Sequence, residues 1–249
     1  MAAQRHLSRA PAREALIDIQ FEPHVPLEAI ERFAAIAEPE FKQNLDLWEA
    51  FVGFNANGNQ PEASTRHTVI GKRLDSDQPP HVLQCRAGGF TFSRLSPYGE
   101  WKDLRNEAHR WWKVFYSEVQ PHTVTRIAVR YINEIKLPLP MRDFSEYLTC
   151  PPRVPETLPQ GISGFLHRVI VPDDFNNCVS IVTQAFEGQP SMAGDGASIT
   201  ILLDVDVFRT VRLQSDRIEE IWTGLDALRE QKNRMFFEHL TEKTVEMFI

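Results

Sequence analysis

Val124-Thr125-Arg126-Ile127-Ala128-Val129-Arg130-Tyr131-Ile132-Asn133-Glu134-Ile135-Lys136-Leu137, at the middle of the chain, decides the fold. Its residues alternate as a long strand that places Ile127, Val129, Tyr131, Asn133 and Ile135 on one face and Arg126, Arg130 and Glu134 on the other. The same pattern opens the chain, where Ala15, Ile17, Ile19 and Phe21 alternate with Leu16, Asp18, Gln20 and Glu22 until Pro23 and Pro26 end the run. Working outward, each of these strands heads a similar series of elements.

After the first strand, Ile30, Phe33, Ala34, Ala37 and Phe41 form a helical stripe, which Pro39 is expected to split, the second helix running to about Phe51. Asn55–Ser64 is expected as loop. Arg66–Leu74, His81–Ala87 and Phe90–Leu95 form three strands, with Gly88-Gly89 supplying the positive φ of a tight hairpin. Ser96-Pro97-Tyr98-Gly99 turns into a helix whose stripe is Trp101, Leu104, Ala108, Trp111, Trp112, Phe115 and Val119. Trp111 and Trp112 splay by roughly 100°, which predicts one in the core and one at its margin. After the central strand come a short helix at Met141–Leu148 and strands at Gly161–Val171, Asn177–Phe186 and Ala197–Leu213. Ser215 is then expected to cap a long helix carrying Ile218, Ile221, Trp222, Leu225, Leu228, Met235 and Phe236, with Gly224 a weak point.

Two units with one order, strand, helix, three strands and long helix, predict an α+β fold of mostly antiparallel curved sheets with the long helices packed on one side, and an internal duplication. The expected division is a flexible arm at 1–12, a first unit at 13–120 and a second at 121–249, closely packed on the first. The run Met1–Arg13 carries Arg5, Arg9 and Arg13 and lacks the apolar core of a secretion signal. Length and composition agree with one large or two intimate domains: 249 residues, 42% hydrophobic, 24% charged, mean hydropathy −0.32. No stretch approaches a membrane span of roughly 18 apolar residues. A net charge of −7 gives no long-range attraction to nucleic acid, which is not expected as a partner. Three cysteines without Cys-x-x-Cys spacing point to a reducing cytoplasm.

Arg13–Phe21, Ser96–Trp101, Arg126–Asn133, Leu203–Val207 and Phe237–Glu242 resemble successive blocks of a sporadically distributed bacterial family of stand-alone proteins of similar length with no assigned function. The resemblance implies a bacterial cytoplasmic protein. Patchy distribution of this kind is shared by accessory genes, including phage-defence and toxin–antitoxin systems.

Among the chemistry-bearing residues, Arg126 and Arg130 stand roughly 13 Å apart along their strand, suited to two phosphates or to two acids on neighbouring strands. With Glu134 they are the candidate ligand-binding set, for an anionic small molecule or an acidic protein segment; the competing expectation is a solvated face crossed by salt bridges that include Asp18. Asp204 and Asp206 share one strand face, a pair that can hold a divalent cation in phosphoryl transfer or a nuclease, although no third carboxylate accompanies them. The alternative is that they answer the arginines. Cys85 is expected as a buried hydrophobe. No nucleophile elbow, phosphate loop, dinucleotide fingerprint or metal-binding histidine spacing occurs, so no catalytic residue and no cofactor is assigned. The apolar C-terminal helix must dock, on its own body, on a second copy as a homodimer, or on a protein partner. The expectation is a non-enzymatic binding or regulatory module.

Overall fold

The computed structural model describes residues 2–55, 62–187 and 196–249. The central strand is β6 (Thr123–Pro138), and it pairs antiparallel with β1 (Ala12–Glu22) so that Ile17 faces Val129 and Asp18 faces Ala128. Matching apolar parity on the two strands fixes this register, because a one-residue slip would turn the buried face of one strand outward. Beyond β1 lie β5 (Gly89–Leu95), β4 (Pro80–Arg86), β3 (Glu62–Asp77) and β2 (Gln43–Asn55). Beyond β6 lie β9 (Ser198–Gln214), β8 (Cys178–Glu187) and β7 (Gly164–Asp173). All pairings are antiparallel within one nine-stranded sheet, β2-β3-β4-β5-β1-β6-β9-β8-β7, continuous across segments 13–120 and 121–249.

The apolar parity is covered by helices. In α1 (Leu27–Ala37) Ile30, Phe33 and Ala34 are buried, and in α2 (Trp101–Val119) Leu104, Ala108, Trp111, Trp112, Phe115 and Val119 are buried. Both adjacent tryptophans are interior, contrary to the expected core-and-margin split. Trp111 meets Phe33 and Phe41 edge-on while Trp112 meets Phe90 of β5, so α2 is walled on two sides, by α1 and by the sheet. Helix α3 (Ile218–Glu238) packs on β6, β9 and β8, and Gly224 lets it close: a Cβ there would fall 2.6 Å from Ile127 Cδ1. Cys85 is fully buried, and burial pushes its thiol well above its ordinary pKa.

Several local expectations are corrected. Gln43–Asn55 is an edge strand, not a helix; Leu45, Trp48, Phe51 and Val52 are all exposed, so no buried face imposed a period on the sequence. Of the stretch expected as loop, Asn55 and residues 62–64 belong to β2 and β3, and residues 56–61 lie outside the described residues. The β4–β5 turn residues are Ala87 and Gly88, and Gly88 does not have a left-handed φ; the ring of the exposed His24 lies 2.8 Å from where its Cβ would stand. Met141–Leu148 contains a single 3-10 turn, Phe144–Glu146. Ser215 does not cap α3; its hydroxyl donates to the Pro121 carbonyl and its backbone N–H to His122, which ties the start of α3 to the start of β6.

The two chain ends lie together. α3 stops at Glu238, and Thr241 caps a short α4 (Glu242–Glu246) by accepting from the Thr244 N–H. Leu240 and Val245 are buried, and the Thr244 hydroxyl donates to the Tyr147 carbonyl, so the C-terminal segment docks on its own chain. The segment expected as a free arm lies against it: the Ala2 N–H donates to the Phe237 and Leu240 carbonyls, the Arg9 N–H to Phe248, and Arg5 pairs with Glu242. No helix is long and apolar enough to cross a membrane among the described residues.

Candidate functional site

Parity puts Asp18, Arg126, Arg130, Asp204 and Asp206 on the sheet face opposite the helices. There Asp18 accepts from Arg86 Nη2 at 2.8 Å, Thr91 Oγ1 at 2.7 Å, Arg126 Nη1 at 2.9 Å and Gln20 Nε2 at 3.2 Å. Arg126 also donates to Asp206 at 3.2 Å and lies over the Phe208 ring. Arg130 grips Asp204 with both arms of its guanidinium, at 2.8 and 2.6 Å, and this pairing raises its already high pKa. Glu134 takes Arg13 at 2.8 Å.

Three guanidiniums, Arg86, Arg126 and Arg130, therefore meet three carboxylates, Asp18, Asp204 and Asp206. Burial pushes the Asp206 carboxyl above the usual range, with Arg126 and Arg130 opposing, and its buried Oδ1 has no partner. An incoming anion on this face competes with built-in carboxylates, and an incoming cation with built-in arginines. Among the described residues no group of three or more His, Cys, Asp or Glu is placed to hold a metal ion.

A different arrangement occupies the helix side of the same central strands. Arg229, Lys232, Asn233 and Phe236 follow one another at spacings of three, one and three along α3, which stacks them on one helical face. That face, β6 and the N-terminal segment enclose a cavity of about 390 Å³, within the range of small-molecule sites. Tyr131 and Asn133 of β6 line it, as do Tyr98 of the turn before α2 and Trp101 and Lys102 of its first turn; His6, Leu7 and Pro11 supply the remaining wall. Trp101 is held by a 2.9 Å bond from its indole N–H to Asp226, which Arg105 also grips. The Asn133 amide donates to the Leu203 carbonyl at 2.9 Å.

Lys232 is 7% exposed and makes no ion pair or hydrogen bond among the described residues. Its ammonium nitrogen sits 3.6 Å from the centroid of the Tyr131 ring, a cation–π contact. The Tyr131 hydroxyl lies 2.6 Å from that of Tyr98, and burial raises the pKa of both phenols. Removal from water, then repulsion from Arg229, lowers the Lys232 pKa to about 7, with Glu230 opposing. Arg5, Lys102, Arg229, Lys232 and Glu100 line this cavity; Arg5 is paired with Glu242 and Arg229 with Glu230 outside the lining.

A larger cavity, about 1240 Å³, lies under the proline-rich stretch Pro151–Pro155 beside Phe144, Phe186 and Ile199, and the charged residues that line it, Arg142, Asp143, Arg153 and Glu156, are exposed. Sequence reasoning missed the first cavity because charges on a helix are assigned to its wet side by default. The usable signals were the polar run Gln231-Lys232-Asn233, all buried, interrupting the apolar stripe between Leu228 and Met235, and Asn133 on the apolar face of the central strand. No protein-family model and no curated protein matches this chain.

Proposed function

We propose that the protein is a non-enzymatic binding module for an anionic small molecule, seated in the cavity between α3, β6 and the N-terminal segment. The carrying observation is Lys232: a residue 7% exposed whose ammonium opens on the cavity with no ion pair among the described residues, a position that the negative charge of a ligand complements. Arg126 and Arg130, the other candidate anion site, already hold Asp18, Asp206 and Asp204.

The wider setting of this reading has its own support. The mirrored strand order about the β1–β6 pair, β5-β4-β3 on one side and β9-β8-β7 on the other, with α2 and α3 following β5 and β9, supports an internal duplication. The three free cysteines support a reducing compartment. The resemblance to a sporadically distributed bacterial family supports an accessory role in a defence or toxin–antitoxin system.

Calorimetric titration with a panel of small carboxylates and phosphates tests the binding reading on the wild type, Lys232→Met and Arg130→Gln. At least one anion binds the wild type, loses about tenfold or more in affinity in Lys232→Met, equivalent to about 1.4 kcal/mol, and binds Arg130→Gln as before. Binding lost in Arg130→Gln and kept in Lys232→Met overturns the cavity assignment in favour of the open face. No binding by any anion overturns the reading itself.

A further inference from the structure

The cavity holds two kinds of nitrogen. Arg229, paired with Glu230, and Lys102 line it as permanent cations, while Lys232, a residue 7% exposed, presents a primary amine with no ion pair among the described residues. An ammonium in that position is a poor permanent anchor for an anion, since burial and the neighbouring Arg229 both work against its charge, with Glu230 and the face of the Tyr131 ring on the other side. The neutral amine is a nucleophile, and desolvation beside another cation is the environment that activates lysines towards carbonyl groups. One side of the amine is covered by the Tyr131 ring; a planar cation formed on the nitrogen would keep that aromatic contact.

Resting on the anionic-ligand reading above, we infer that Lys232 captures the carbonyl carbon of a 2-oxo acid as a reversible imine, with the carboxylate of the ligand turned towards Arg229 and Lys102. The amine lone pair attacks the carbonyl carbon, a C–N bond forms, and the C=O π electrons move to oxygen. A proton passes from nitrogen to oxygen to give the carbinolamine. The nitrogen lone pair then closes C=N as the C–O bond breaks, and oxygen leaves as water by taking the second proton of the nitrogen. Amine plus ketone becomes imine plus water, with no oxidant or reductant. Tyr98 and Tyr131, with hydroxyls 2.6 Å apart, line the cavity, as do the titratable His6 and Glu100 and the cations Arg5, Lys102 and Arg229. The carbonyl group and the acid together distinguish the expected ligand from simple phosphates or carboxylates.

The full-length protein is incubated near neutral pH with pyruvate as probe and sodium cyanoborohydride, and the reduced adduct is located by intact and peptide mass spectrometry. The expected result is a single adduct on the peptide carrying Lys232, present in Arg130→Gln and absent in Lys232→Arg and Lys232→Met; circular dichroism establishes that at least one Lys232 variant is folded. Calorimetry with pyruvate and with lactate, which lacks the carbonyl, runs in parallel. Pyruvate binding without an adduct, or with lactate bound equally well, overturns the imine and leaves the binding module standing. Adducts spread over surface lysines and equal in the Lys232 variants overturn it too. Neither heat nor adduct with pyruvate removes the 2-oxo acid, and failure of the whole anion panel removes the parent reading as well.

Discussion

The Lys232 ammonium sits 3.6 Å from the centre of the Tyr131 ring, so one side of a buried cation is met by an aromatic face and none by a carboxylate. This arrangement taxes stability. The Lys232 pKa falls from an ordinary 10.5 to about 7 on folding, so between those values the unfolded chain binds more protons than the folded one. Stability contributed by this group therefore rises as pH increases from about 7 towards 10.5, and below 7 the full penalty of a buried charge is present. At 1.36 kcal/mol per unit the penalty is at most roughly 5 kcal/mol. Lys232→Met removes it: urea unfolding at pH 6 shows the variant more stable than the wild type, and the difference shrinks as pH is raised. A variant less stable than the wild type at pH 6 contradicts this account.

The Tyr98 and Tyr131 hydroxyls satisfy each other at 2.6 Å at the wall of the cavity. Tyr98→Phe or Tyr131→Phe alone leaves one phenol without its partner and costs about 1–3 kcal/mol. The double variant costs less than the sum of the singles, because no orphaned hydroxyl remains. A double-mutant cycle by urea denaturation measures the coupling, and strict additivity would show that water replaces the lost partner.

Gly224 sits where α3 crosses β6, and a Cβ there meets Ile127 Cδ1 at 2.6 Å, while Ile127 itself is 1% exposed and has little room to move. Ala favours an isolated helix by about 1 kcal/mol over Gly. Overpacking costs about 1–3 kcal/mol, so Gly224→Ala is neutral to destabilising. Shortening the neighbour in Ile127→Val removes the contacting methyl and restores the helical advantage. Thermal unfolding of the two singles and the double checks this, and a stabilising Gly224→Ala single would show that α3 stands further from the sheet.

How far these features can be seen in the sequence depends on whether burial constrained them. In β1 and β6 one face is buried, so Ile17, Ile19, Ile127 and Val129 keep a strict parity and the strands and the polar positions Asp18, Arg126 and Arg130 are visible from it, while the pairing of β1 with β6 is not. In β2 both Phe51 and Val52 are exposed, and without a buried face the chance spacing of Leu45, Trp48 and Val52 imitates a helix. The cavity was hidden for the opposite reason. Lys232, Asn233 and Asn133 are polar residues at buried positions, and a periodicity count discards them as solvent-facing on α3 and as noise on β6.

On the opposite face, Asp18 is the carboxylate on which Arg86, Arg126 and Thr91 converge, with a side chain only 10% exposed. Asp18→Ala leaves two guanidiniums without their shared acceptor. Removing one partner of a buried pair costs about 3–5 kcal/mol, and because Arg126 and Arg86 keep 22% and 37% of their side-chain exposure, the low end near 3 kcal/mol applies. Arg130→Gln, at a guanidinium 41% exposed, costs only about 1 kcal/mol despite its fork-like grip on Asp204, since water replaces much of what is lost. Urea denaturation of the two variants at neutral pH should rank them in that order. Equal losses would mean that solvent reaches Asp18 as freely as Arg130, and a larger loss in Arg130→Gln would move the centre of the network from β1 to β9.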